Sequence, residues 1–268
     1  MSDIMPPHDH GAPTTVVAVH GNGGGSTRFS LVPRHLPDTV RFVAIDLPGF
    51  NGEPDDPSLQ SVAAYADRLA ELLADATGDD AAEDGAAPPV VLGHGIGGSI
   101  ALDLASRRPE TMAGLILHAP VGADLDRRLF PRLMSPEPVR TLVRTLIAAR
   151  FLRPIWRRLF FPVGAPASEL DTFFDGYRTC EAFSRMFDII TVEWFNELAP
   201  VQQVPTVLLW GENDRVLRSG QADAIAAKAP HARTVIRNGW DHFPMLEQPE
   251  EYAHVVADLA TGLVADQA

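Results

Sequence analysis

The chain has 268 residues, 46% of them hydrophobic, which is enough for one large α/β domain with a well-buried core. A formal charge of −13 excludes a general nucleic-acid binder, because neutralising phosphates takes a basic surface. The lone cysteine, Cys180, excludes an internal disulfide and fits a reducing compartment; in "YRTCEAF" it stands apart from any Cys/His cluster and reads as a small core residue.

Residues 1–13 read as a loose tail without the basic-then-apolar order of a signal peptide. No segment approaches the ~20 apolar residues of a membrane span, so a cytoplasmic protein without a membrane partner is expected. "TTVVAVH" (Thr14–His20) is a β-branched run of strand length that ends in the glycine-rich "GNGGGS". "VRFVAIDLPG" (Val40–Gly49) is a second strand, and Ser61 is placed to cap a helix over Ser61–Thr77. An acidic, low-complexity loop follows at 78–89. Then come strand "VVLGH", helix "GGSIALDLASRRP" and strand "MAGLILHAP". From Val121 to about Pro200 helical patterns, aromatics and prolines replace the strands. The strand rhythm resumes at "VPTVLLWGEND", followed by helix "GQADAIAAKAP", strand "ARTVIRNG" and a last helix from about Pro249. Strands alternating with helices predict a mostly parallel sheet with helices on both faces. The expected organisation is an α/β core made of residues 1–120 and 201–268, interrupted by a helical cap at 121–200.

Four local patterns fall at the C-terminal ends of predicted strands, the edge where open parallel sheets bind ligands. "GHGIG" (Gly93–Gly97) has the outline of a nucleophile elbow. Gly93, Gly95 and Gly98 also fit G-x-G-x-x-G, but a dinucleotide site wants an acid at the end of the next strand, and that strand ends in "LHAP". "VHGNGGGS" has the form of a loop that lends a backbone N–H to an oxyanion hole. Asp214 lies in the turn "GEND" after an apolar strand, and His242 lies in "NGWDHFPMLEQPE". The order elbow, acid, histidine is that of one known constellation.

On these residues the chain resembles the α/β-hydrolase fold superfamily, from Val16 to about Leu259. "DLPGFNGEP" (Asp46–Pro54) is similar to a further loop of that family, with Glu53 in place of its usual serine. The resemblance implies a catalytic group of His242, Asp214 and the elbow residue 95, and an oxyanion hole from Ile96 with Asn22 or Gly23. It also implies a pocket wall that includes Gly21, His94, Trp240 and Phe243, with no metal and no organic cofactor.

The elbow residue is Gly95, which has no side chain and cannot attack a substrate. Four readings follow. The first keeps His242 as a base oriented by Asp214, with room left at the elbow for a leaving group. Such a site suits proton abstraction beside a carbonyl with loss of a carboxylate, and the resemblance implies precedent in acetate-eliminating α/β-hydrolase-like enzymes of tetronate polyketide biosynthesis. The second retains hydrolysis through a water activated by His242. The third is a serine-type hydrolase whose nucleophile has been lost or engineered away. The fourth is a non-catalytic small-molecule-binding protein that uses the same pocket. Ser99 and Ser26 are poor stand-ins, since one lies four residues into the helix and the other beyond the glycine loop.

Nine arginines stand between Arg127 and Arg158 against one acid, Glu137, and Arg140 with Arg144 and Arg153 with Arg157 would share helix faces. They read either as a solvated helix face or as a cationic surface for an anionic substrate, an acyl carrier protein or the acidic loop. The aromatics Phe151, Trp156, Phe160, Phe161, Phe173, Phe174, Tyr177, Phe183, Phe187, Trp194 and Phe195 are expected mostly to pack cap on core. A few should line a pocket for a hydrophobic, acylated substrate.

Overall fold

The computed structural model describes residues 13–78, 87–123, 125 and 129–265. The N-terminal tail, most of the acidic loop, Arg127 and Arg128 lie outside the described residues.

Six strands form one sheet: β1 (Thr14–Val19), β2 (Val40–Ile45), β3 (Val90–His94), β4 (Gly114–His118), β5 (Thr206–Gly211) and β6 (Arg233–Arg237). Their order is β2-β1-β3-β4-β5-β6, and every neighbouring pair runs parallel. The strand order therefore reverses between β1 and β3, which places the ligand-binding crevice of an open α/β sheet there. The central strands β3, β4 and β5 are buried at every position, as expected of strands covered on both faces.

Helix α1 (Val62–Thr77) starts at Ser61, whose Oγ accepts from Ala64 N–H at 3.0 Å. Its buried Val62, Tyr65, Ala66, Leu69 and Leu73 recur at helical spacing. Helix α2 (Ile96–Arg107) packs on α1 and against β3 and β4, while the C-terminal helix (Pro249–Ala265) packs on β1, β3 and β4. Close approach explains the glycines at the start of α2. A Cβ on Gly93 would lie 2.5 Å from Gly98 Cα, and one on Gly97 would lie 2.6 Å from the His20 carbonyl.

Between β4 and β5 the described residues form helices only: α3 (Leu129–Leu133), α4 (Glu137–Ala148), α5 (Arg153–Phe160), α6 (Ala167–Gly176), α7 (Phe183–Ile189) and α8 (Val192–Glu197). Polar clasps tie this insert to the core. Arg185 donates to both carboxylate oxygens of Asp55 at 2.7 and 2.6 Å, and Trp194 Nε1 donates to Asp103 Oδ2 on α2 at 2.9 Å.

Two expectations for the insert need correction. Arg140 is buried, donating to the carbonyls of Met134, Ser135 and Ser184 and to Asp188, and Arg153 pairs with Asp171 and Asp175. These two side chains organise the insert from inside, so neither belongs to a solvated face. Phe151, one of the aromatics expected mostly to pack, is an exception, 79% exposed on the 3-10 turn before α5. Beyond the insert, the helix expected over "GQADAIAAKAP" shrinks to α9 (Ala222–Ala226). Lys228 ends it: its carbonyl accepts from Val201 N–H at 2.8 Å, and its Nζ donates to the carbonyls of Asn196 and Leu198. Two helices complete the chain, α10 (Pro244–Glu247) and the C-terminal α11 already described (Pro249–Ala265).

Candidate active site

The register of the sheet assembles the site. Val19 pairs with Gly93 and His94 with His118, so the loop after β1, the elbow after β3 and the end of β4 meet at one edge. Gly95 forms the turn between β3 and α2 with φ 56° and ψ −118°, a conformation L side chains rarely adopt. Its N–H donates to the His118 carbonyl at 3.0 Å, and its carbonyl accepts from Gly98 N–H at 3.1 Å. A Cβ at position 95 would meet only Gly21 Cα, at an ordinary 3.4 Å. The turn therefore has space for a side chain and carries none. The two nearby hydroxyls are engaged elsewhere: Ser99 Oγ donates to the Val121 carbonyl at 2.6 Å, and Ser26 Oγ to Asp46 Oδ2 at 2.8 Å. Asp46 also accepts from Ser26 N–H and Asn51 Nδ2, which ties the "DLPGFNGEP" loop to the glycine loop.

Asp214 and His242, 28 residues apart, meet with Nδ1 to Oδ2 at 2.7 Å, both buried. The other Asp214 oxygen accepts from the N–H groups of Val216 and Leu217 at 2.8 and 2.6 Å. With Nδ1 donating to the carboxylate, the lone pair of His242 is on Nε2, the arrangement of a general base.

Among the described residues the N–H groups of Ile96 and Asn22 find no protein acceptor, whereas Gly23 N–H donates to Asn22 Oδ1 at 3.0 Å. Of the two candidates in the glycine loop, Asn22 therefore has the available donor and Gly23 does not. Gly23 instead gives close approach: a Cβ on it would lie 2.2 Å from the Tyr177 ring.

The expected wall residues separate. Gly21 faces Gly95, and Phe243 packs beside the His242 ring at 4.7 Å between centroids. Trp240 is a correction: it is fully buried against Tyr252 and His118, so it is a core residue behind the site. His94 turns inward as well. Its Nε2 donates to the His242 carbonyl at 3.1 Å, and its ring lies 4.6 Å from His242 and 4.8 Å from His118. Burial and the neighbouring His242 push both His94 and His118 well below the ordinary imidazole range, so this row stays neutral. His20 is also neutral, pushed down to about 4 by burial; its Nδ1 donates to the Gly21 carbonyl and its Nε2 accepts from Leu47 N–H.

Three neighbours of the site have no local motif to announce them. Asp241 Oδ1 accepts from the N–H of His242 at 2.8 Å and of Arg215 at 3.2 Å, fixing the backbone that carries the imidazole. His118 closes the histidine row, with Nδ1 3.1 Å from the Tyr252 hydroxyl. Arg28 is buried at 3% exposure, with its guanidinium carbon 3.3 Å from the centre of the Phe173 ring. Cys180, beneath Tyr177, is buried and its thiol is pushed up to about 12, as an inert core residue would be. No group of three or more His, Cys, Asp or Glu side chains among the described residues is arranged to hold a metal ion.

A parallel sheet with an elbow after β3, an acid after β5 and a histidine after β6 defines the α/β-hydrolase class. The model of the Alpha/beta hydrolase family matches residues 16–255, and the chain belongs to that family. It is 27% identical over 268 residues to a pimeloyl-[acyl-carrier protein] methyl ester esterase of Aromatoleum aromaticum, covering 92% of this chain and 98% of that protein. It is 24% identical to Lipase 1 of Psychrobacter immobilis, over 89% of this chain and 74% of that one. Among solved structures, a putative lipase from Acinetobacter baumannii superposes with a TM-score of 0.74 at 21% identity, over 95% of this chain and 85% of that one.

Proposed function

We propose that the chain is an enzyme of acylated, hydrophobic small molecules that works through His242 as a general base and forms no covalent acyl-enzyme. One observation carries this: the elbow presents a glycine, while the His242–Asp214 pair beside it is fully assembled at 2.7 Å. An acyl-enzyme needs an oxygen or sulfur nucleophile at the elbow, and Ser99 and Ser26 are bonded away from it. The remaining parts are a base and two free N–H donors, from Ile96 and Asn22, which suit an oxyanion or enolate.

The reaction best matched to those parts is elimination. His242 Nε2 takes the proton α to a carbonyl, the α carbon–hydrogen electron pair forms the C=C bond, and the β carbon–oxygen bond breaks with its electrons leaving on a carboxylate such as acetate. The N–H pair stabilises the enolate oxygen. The helical insert acts as a cap whose Phe161, Phe173 and Tyr177, packed with Phe243 of the core, form the apolar cover of the site. A tetronate-like polyketide intermediate bearing an acetyl ester has the required chemistry. No cofactor is needed for this step, and the same chemistry accommodates a substrate carried on an acyl carrier protein. The second reading, hydrolysis by a water activated at His242, is favoured by the esterase and lipase names of the relatives.

An aryl-substituted β-acetoxy ketone turned over in ¹⁸O-labelled water tests both. Elimination gives an enone and unlabelled acetate; hydrolysis gives the β-hydroxy ketone and acetate carrying one ¹⁸O. Unlabelled acetate with enone is expected, and labelled acetate would replace elimination with hydrolysis. Turnover undiminished in His242→Ala would overturn the general-base mechanism itself.

A further inference from the structure

Beside the proposed catalytic pair lies a charge that the chemistry above does not use. Arg28 follows the glycine loop, on the 3-10 turn Ser26–Phe29, and its guanidinium is buried at 3% exposure. Nη2 donates to the Gly23 carbonyl at 2.8 Å, and the plane rests on Phe173. The Tyr177 and Phe243 rings each stand 5.6 Å from its central carbon. The Tyr177 hydroxyl accepts from it and Cys180 lies near, both neutral, while Nη1 has no hydrogen-bond acceptor. Among the described residues it forms no ion pair. The other buried arginine, Arg140, marks the contrast, with three carbonyls and a carboxylate around it.

Burying a cation is strongly unfavourable unless an anion and hydrogen bonds compensate it. The face of Phe173, 3.3 Å from the guanidinium carbon, offsets only part of that cost. A purely structural strut between the glycine loop and the insert could be made with a neutral donor. What only Arg28 provides is a permanent cation with one arm, Nη1, left without an acceptor, able to donate a charge-assisted bond to a carboxylate. Its position points the same way. The Phe243 ring centre lies 5.6 Å from the Arg28 guanidinium carbon and 4.7 Å from the His242 ring, and Arg28 is among the charges that depress His94. Tyr177 lines a cavity of about 300 Å³ together with Arg144, Thr145, Ala148, Ala149 and Arg178, and its ring also lies close to Gly23 and 5.6 Å from the Arg28 guanidinium carbon.

We infer that Arg28 is an anion-recognition residue that holds a carboxylate of the reacting molecule beside Phe243, which makes the site selective for anionic acyl compounds over neutral ones. The carboxylate is either one retained on the substrate or the one released from it. This rests on the site proposed above being where the small molecule binds, but not on which reaction follows.

Calorimetric titration of the wild-type protein with monomethyl glutarate, its neutral counterpart dimethyl glutarate, and acetate tests this. The half-ester is expected to bind roughly tenfold or more tightly than the diester, as a charge-assisted pair gives. Arg28→Met should level the two, with diester binding within twofold of wild type, and Arg28→Lys should restore part of the difference. Acetate binding that depends on Arg28 assigns the released carboxylate; binding of the half-ester without acetate assigns a retained one, and both support the role. Equal affinity of half-ester and diester for wild type, no binding of either carboxylate, or a preference that survives Arg28→Met would overturn it. The wild-type comparison decides even if Arg28→Met does not fold. Because the readout is binding, it separates from the catalytic reading: the preference should persist in His242→Ala, where turnover is expected to be lost.

Discussion

Three bonds hold His242, and each comes from a different part of the chain: Asp214 at Nδ1, Asp241 at its N–H and His94 at its carbonyl. The imidazole is thereby preset with Nε2 free, so little reorganisation is needed when a proton is taken. His242→Ala should lower turnover of an acylated substrate by 10²-fold or more, and Asp214→Asn, which removes the acceptor that fixes the tautomer, by a similar order. Steady-state rates on the β-acetoxy ketone check both, and a loss below about fivefold in either would remove that residue from the mechanism. Gly95 presents the opposite case, a residue whose chemistry is what it lacks. Gly95→Ala finds room but must adopt φ 56°, so it should cost about 1 kcal/mol or more, read as a lower melting temperature. An unchanged or raised melting temperature would mean that the turn is not strained.

At the scale of elements, Arg140 and Arg153 hold the insert from inside, while Arg132, Arg150, Arg157 and Arg158 are exposed. Arg140→Leu would strand the carbonyls of Met134, Ser135 and Ser184, at a cost of about 2 kcal/mol, whereas Arg157→Leu on the exposed side of α5 should change stability by less than 0.5 kcal/mol. Chemical denaturation of the two variants checks this, and equal midpoints would contradict it. This contrast also shows what a sequence conveys. The strands were legible because β-branched and apolar runs end in glycine turns, and Ser61 announced α1. Gly95, Asp214 and His242 were legible because their loops carry spaced glycines and prolines, which the tight strand–helix junctions demand. Burial of Arg28 and Arg140 was not legible, since an arginine reads as solvated until the fold covers it, as when the Ser184 carbonyl and the Asp188 carboxylate, 44 and 48 residues on, are brought to Arg140. Trp240 was misplaced for the same reason: its neighbours in sequence belong to the site, but its ring turns to Tyr252. The short α9 escaped because a tertiary bond at Lys228 overrides alanine propensity.

Across the whole molecule, the site creates an acid sensitivity. His20, His94 and His118 are buried and held neutral, each with a folded-state pKa below its unfolded value. The unfolded chain therefore binds more protons below about pH 6.5, and stability present above that pH is lost as the pH falls toward the folded values. His20, at about 4, alone contributes roughly 3 kcal/mol to this loss. Glu247, pushed up to about 7 by burial, works against it, because its folded form binds the extra proton between its unfolded value and about pH 7. Three imidazoles outweigh one carboxyl, so the melting temperature should fall between about pH 7 and pH 5. A flat or rising profile would contradict the neutral row. No helix among the described residues is long and apolar enough to cross a membrane.

Everything proposed for the reaction depends on an assembled elbow that carries no nucleophile. Intact-mass measurement after exposure to a fluorophosphonate, which phosphonylates an activated serine, tests that directly. Wild-type protein should remain unmodified, while Gly95→Ser, placing a hydroxyl beside His242 and the free N–H groups of Ile96 and Asn22, should gain one adduct at residue 95. An adduct on the wild-type chain at Ser99, Ser26 or any other residue would reveal a nucleophile elsewhere and contradict the non-covalent mechanism, and an inert Gly95→Ser would contradict the competence of the His242–Asp214 pair.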